Sequence, residues 1–106
     1  MPKYLIEATY KAEGVKGLLA EGGSKRREAV AKAIKAAGGK VEAFYFAFGQ
    51  SDVVVIVDLP DNVSAAAGSL SINASGAVAT KTTVLLTPGE IDEAAKKSVS
   101  YRAPGQ

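Results

Sequence analysis

An α+β sandwich is the fold this sequence predicts: a four-stranded antiparallel sheet with helices on one face and a short helix added at the C-terminal end. Residues 40–48 and 53–59 carry most of that expectation. Both runs are rich in aromatic and β-branched side chains and are joined by the polar turn Gly49-Gln50-Ser51-Asp52, as a β-hairpin requires. Further β-type segments at 3–10 and 77–87 are separated from the hairpin by stretches whose apolar residues recur at helical spacing.

In the first strand Tyr4, Ile6, Ala8 and Tyr10 lie on one side, and Lys3, Leu5, Glu7 and Thr9 on the other. Residues 11–23 read as a glycine-punctuated connection with room for a helical turn around 15–20. Ser24 then caps a helix running to about Ala37, with Val30, Ala33, Ile34 and Ala37 as its core stripe and Glu28 and Lys32 spaced for an i,i+4 ion pair. Gly38-Gly39 ends it, because glycine tolerates the positive φ of a helix stop.

After the hairpin, Asp61 is the expected N-cap of a helix whose apolar face is Val63, Ala66, Ala67, Leu70 and Ala74, closed by Gly76. Strand four spans 77–87, and Pro88 begins a short helix through Lys97. Residues 1–97 are thus expected to form a single domain, with 98–106 a flexible C-terminal tail. The order βαββαβ satisfies the crossover rules as a ferredoxin-like sandwich.

The hairpin strands are apolar on both faces. Phe44, Phe46 and Phe48 oppose Val41, Ala43 and Tyr45 by simple alternation, and Val53, Val55 and Val57 oppose Val54 and Ile56. A sheet covered on one side alternates apolar and polar residues instead, so something beyond the two helices is expected to cover the second face.

Composition removes several kinds of chemistry. The 106 residues suit one domain, and a net charge of +2 spread over helices and tail is weak footing for nucleic-acid binding. The strand at 53–59 also lacks the exposed aromatics on which an RNA-binding sheet stacks bases. Cysteine is absent, which excludes disulfides, and histidine is absent, which removes the commonest general base, transition-metal ligand and haem ligand. No cofactor and no metal are expected. Residues 1–7 lack the apolar core of a signal peptide and no stretch is apolar enough to span a bilayer, so a cytoplasmic protein without a membrane partner is expected.

Met1-Pro2-Lys3-Tyr4, Gly14, Ser24-Lys25-Arg26-Arg27, Gly38-Gly39-Lys40, Phe44-Tyr45, Pro60-Asp61, Gly76 and Lys81-Thr82-Thr83 span nearly the whole chain, and in these features it resembles the GYD-domain family. The family's naming motif is glycine, a variable residue, tyrosine, aspartate; Gly49 and Asp52 match it, while Ser51 stands at the tyrosine position. The family is similar in fold to ferredoxin-like domains that pair sheet to sheet as dimeric α/β barrels. The resemblance therefore implies a fold and self-association, and brings no established reaction.

Glu7 and Lys81 are the leading pocket candidates, since strands one and four neighbour each other in this topology and both charges are expected on the face away from the helices. The plainer reading is an exposed cross-strand ion pair worth about 0–1 kcal/mol. Tyr45, Glu42 and Asp58 are placed to line the same cavity or to face solvent at strand ends. Asp52 is a candidate carboxylate, although a turn aspartate is the commoner role, and Ser51 has no histidine to activate it. Ser24, Lys25, Arg26 and Arg27 form a candidate anion site at a helix N-terminus, or an ordinary serine cap with solvated cations.

No charge occurs from Asn62 to Thr80, which suits a helix in contact with a neighbouring subunit. The expected partner is therefore a second copy of the chain, with scaffolding or small-molecule binding between paired sheets. The alternative is a cofactor-independent enzyme that uses Glu7, Tyr45 or Asp52 as acid or base, with Lys81 polarising the substrate.

Overall fold

The computed structural model describes residues 1–106. Its elements are β1 (Lys3–Tyr10), α1 (Ala12–Glu21), α2 (Gly23–Ala36), β2 (Lys40–Phe46), β3 (Val53–Asp58), α3 (Asn62–Ala74), β4 (Val78–Leu85) and α4 (Pro88–Lys96). The strands form one open antiparallel sheet in the order β2-β3-β1-β4, the ferredoxin-like arrangement that the βαββαβ pattern predicts. Both hairpin strands end earlier than expected, at Phe46 and Asp58, and β4 is trimmed to Val78–Leu85.

Strand β1 lies between β3 and β4, and its alternation divides the sheet as the sequence requires. Tyr4 and Ala8 are buried with Val53, Val55, Val57 and Val78 on the helix-covered face, and Leu59 and Ala65 complete this core. Tyr4 reaches through it so that its hydroxyl donates to Asn62 Oδ1 at 2.6 Å, which pairs the one polar atom of a fully buried ring.

The connection at 11–23 is a full helix, α1, instead of a single turn. Gly14 weakens its sequence signal yet is needed there, because a Cβ at that position would overlap the Ala77 carbonyl oxygen. Helix α2 follows directly through Gly22, which has φ 84° and replaces Ser24 as the N-cap; no side chain caps this helix. Val30 and Ile34 face the sheet as expected, whereas Ala33 and Ala37 are exposed, and Glu28 and Lys32 form no ion pair. The helix ends in a Schellman motif: Gly39 N–H donates to the Ile34 carbonyl and Gly38 N–H to that of Lys35, with Gly38 at φ 89°.

Two register features change which side chains meet. A β-bulge between Val41 and Ala43 opposes Val41 to Val57 and Ala43 to Ile56. It puts Val41 on the helix-covered face with Phe44 and Phe46, against the simple alternation. Helix α3 is also rotated from its expected setting. Asp61 caps it by accepting from Ser64 N–H at 2.8 Å, as anticipated, but Ala65 and Ser69 turn toward the sheet while Val63, Ala66, Ala67, Leu70 and Ala74 are exposed, Leu70 at 72%. Polar contacts set this rotation: Asn73 Oδ1 accepts from Thr80 N–H at 2.9 Å, Asn73 Nδ2 donates to Thr80 Oγ1 at 2.8 Å, and Ser69 Oγ lies 3.3 Å from the same hydroxyl.

Candidate functional site

The uncovered face of the sheet is built from the residues opposite in parity to the core. The register aligns Ala43, Ile56, Leu5 and Thr83 across the strands, and beside them Tyr45, Val54, Glu7 and Lys81. Leu5, Val54, Ile56 and Ala43 are half-buried by one another, and Tyr45 is 70% exposed. No element of the chain covers this apolar surface.

At one end of the face lies a polar recess of about 270 Å³, lined by Glu7, Thr9, Gln50, Ser51, Ala79, Thr80 and Lys81. Glu7 and Lys81 are direct cross-strand partners within it. Their charged ends do not close into an ion pair, which leaves both able to meet a third group. The turn between β2 and β3 folds over the end of β1, and Ser51 Oγ, 3.5 Å from Glu7 Oε2, marks the outer limit of a hydrogen bond. The recess thus offers an acceptor, a cation and hydroxyl and amide groups that can donate and accept, a set suited to orienting a small polar molecule.

Tyr45 shares the cross-strand row of Glu7 with Val54 between them, about 10 Å away at two interstrand spacings, so it lies beside the recess on the same face. Asp52 is turned to a structural task. Its Oδ2 accepts from Tyr10 N–H at 2.8 Å, its own N–H donates to the Ala8 carbonyl, and its carbonyl accepts from Ala47 N–H, so it ties the turn to the end of β1. It borders a separate, mostly apolar depression of about 450 Å³ with Tyr10, Val15, Leu18, Phe46 and Phe48.

Glu42 and Asp58 are engaged by Lys3, whose Nζ lies 3.1 Å from Glu42 Oε2 and 2.9 Å from Asp58 Oδ1. The Lys3 ammonium hydrogen-bonded to Asp58 holds that carboxyl below the usual carboxylate range; the same bond, then that of Glu42, raises Lys3.

The four residues at the start of α2 do not converge. Arg26 lines a depression with Tyr10, Glu13 and Ile72, whereas Ser24 and Arg27 line another, of about 640 Å³, with Lys35 and Lys40 and the opposing Glu28. Lys25 is exposed and lines neither of these depressions. Consecutive helical residues point about 100° apart, which is the physical reason a run of cations in sequence becomes a splayed set in space.

Thr9 entered the recess without being singled out in the sequence; it follows Glu7 by two residues, the spacing that returns a strand to the same face. Gln50 and Ser51 depend on the fold of the turn, which periodicity does not specify. No group of three acidic side chains converges into a metal-ligating cluster, and no helix is long and apolar enough to cross a membrane. No curated protein and no solved structure matches the chain significantly. The family model described as the GYD domain matches residues 4–95, from the second residue of β1 to the penultimate residue of α4, and the chain belongs to the GYD-domain family.

Proposed function

We propose that this protein is a homo-oligomer whose sheets pair face to face, and that the polar recess becomes part of a cavity between them that holds a small polar organic molecule. The observation that carries this reading is the uncovered apolar face with Glu7, Ser51, Gln50 and Lys81 gathered at one end of it. A second copy with the same surface would bury Leu5, Val54, Ile56 and Tyr45, while the polar groups at the end would keep a ligand or water as their partner. The reading carries a cytoplasmic location with it, compatible with a chain free of cysteine.

Native mass spectrometry of the protein purified from its own cells tests both parts, since assembly mass and retained ligand are read together. The expected species is a dimer or a multiple of it with an added small-molecule mass that Lys81→Ala removes. In a two-fold sheet pair Ile56 approaches its own symmetry mate's surface, so Ile56→Asp should yield monomers, because an unpaired buried charge costs several kcal/mol. A monomeric parent protein at micromolar concentration, or an Ile56→Asp assembly of unchanged mass, would defeat the pairing. An oligomer that carries no ligand would leave scaffolding as the function.

An enzymatic reading draws on the same recess. Glu7 has no ion-pair partner within the chain and is the candidate base inside the recess, with Tyr45 beside it on the same face and Lys81 opposite it to polarise a substrate. Asp52 drops out of that scheme because its carboxylate is spent on the Tyr10 amide.

A further inference from the structure

We infer that the ligand of the polar recess is a small zwitterion of the α-amino-acid type, with its carboxylate against Lys81 and its ammonium against Glu7. The inference rests on the reading of the recess as a small-molecule site and names the class of molecule it takes.

Glu7 and Lys81 are the only charged side chains among the seven that line the recess. As direct cross-strand partners they have Cα atoms about 4.5–5.5 Å apart, yet their charged ends form no ion pair. The opposite outcome is seen at the other end of the face. There Lys3 Nζ closes on Asp58 Oδ1 at 2.9 Å and, across the intervening strand β3, on Glu42 Oε2 at 3.1 Å. The recess therefore presents a separate anion and cation side by side.

A molecule that answers both must carry one charge of each sign. A simple acid or a phosphate ester would be held by Lys81 and repelled by Glu7, and a simple amine the reverse. A neutral molecule offers neither charge a partner of opposite sign, which charges enclosed by a second sheet require. Spacing narrows the class further. In an α-amino acid the ammonium nitrogen and the carboxylate carbon flank one carbon atom and lie about 2.5 Å apart, so both heads fit between side chains anchored on strands about 4.8 Å apart. At about 270 Å³ the recess is smaller than the roughly 300–1,000 Å³ of sites for drug-sized ligands. Around the two charges Thr9 and Ser51 supply hydroxyls and Gln50 an amide, which suits a short polar side chain.

The wall that carries Gln50 and Ser51 is fixed in advance. Asp52, next along the chain, accepts from Tyr10 N–H at 2.8 Å and donates its own N–H to the Ala8 carbonyl at 2.8 Å. A wall already in place lowers the ordering cost of binding a small molecule.

L-serine and two compounds that each lack one of its charges test this, by NMR titration of the isotope-labelled full-length chain after exhaustive dialysis. Ethanolamine is serine without the carboxylate, and 3-hydroxypropanoate is serine without the ammonium. L-serine should shift the amide resonances of Glu7, Ser51 and Lys81 and bind about tenfold or more tightly than either. Lys81→Met should lower serine affinity about tenfold and erase its advantage over ethanolamine, and Glu7→Gln should erase its advantage over 3-hydroxypropanoate, each with unchanged far-UV circular dichroism. A singly charged compound that binds the parent as tightly as serine, a serine affinity that neither variant changes, or recess amides unmoved at tens of millimolar serine would overturn the zwitterion. Light scattering and native mass spectrometry on the same samples separate it from sheet pairing. If the parent is monomeric and still prefers serine at these amides, pairing falls and the zwitterion stands. If it is a dimer that retains a singly charged or neutral molecule removed by Lys81→Ala, the cavity stands and the zwitterion falls. A monomer that binds none of the three compounds overturns both.

Discussion

Lys3 links the ends of three strands through Asp58 and Glu42, and this small charge cluster makes stability depend on pH at both extremes. Asp58 is lowered by its hydrogen bond from Lys3, and Asp61 by the backbone N–H of Ser64. A carboxyl lowered on folding contributes stability that is present above its unfolded value of about 3.9 and is lost as pH falls through the folded value. Lys3 is raised, chiefly by Asp58, so its contribution is present below the unfolded lysine value of about 10.4 and is lost as pH rises through the folded value. The thermal midpoint should therefore hold level between about pH 5 and 9 and fall on either side. Asp58→Asn should flatten the alkaline limb and part of the acid limb, with Asp61 sustaining the rest. Calorimetry across the pH range checks this, and an alkaline limb identical in the variant would remove Asp58 as its cause.

Among the elements, α3 departs most from its amphipathic reading. Alanine, serine and glycine occupy most of its faces, so burial energy discriminates little between rotations, and the hydrogen bonds of Ser69 and Asn73 to Thr80 decide the outcome. Leu70 is left outside the core. Leu70→Lys should accordingly change unfolding free energy by no more than about 0.5 kcal/mol, as for an ordinary surface position. The setting inferred from sequence would instead bury a lysine, and even truncating a buried leucine costs about 2–5 kcal/mol. Urea denaturation separates the two. The bulge at Glu42 works the same way on β2: one additional residue transfers Val41 to the core, a change invisible to a strict two-residue period.

For the molecule as a whole, only 9 of 106 residues are buried, and an apolar sheet face and a detached helix remain uncovered in the single chain. So small a core suits a subunit whose folding is completed by association. The thermal midpoint should then rise with protein concentration over the range in which light scattering detects assembly, and that dependence should vanish in Ile56→Asp. A parent protein with a concentration-independent midpoint would make the small core self-sufficient and remove this support for pairing.

The sequence by itself determined the features that depend on near neighbours and on fixed periods. These are the four strands, the polar turn, the Asp61 cap, the Gly38-Gly39 stop and, through strand parity and crossover rules, Glu7 opposite Lys81 on the uncovered face. Tertiary structure alone decided that Gly14 belongs to a helix, since its reason is the Ala77 carbonyl more than sixty residues away. It alone decided that Asp52 braces β1 and that Gln50 and Ser51 enter the recess. Each of those outcomes depends on which distant backbone or side chain a group meets, and no local pattern of charge or hydrophobicity encodes that meeting.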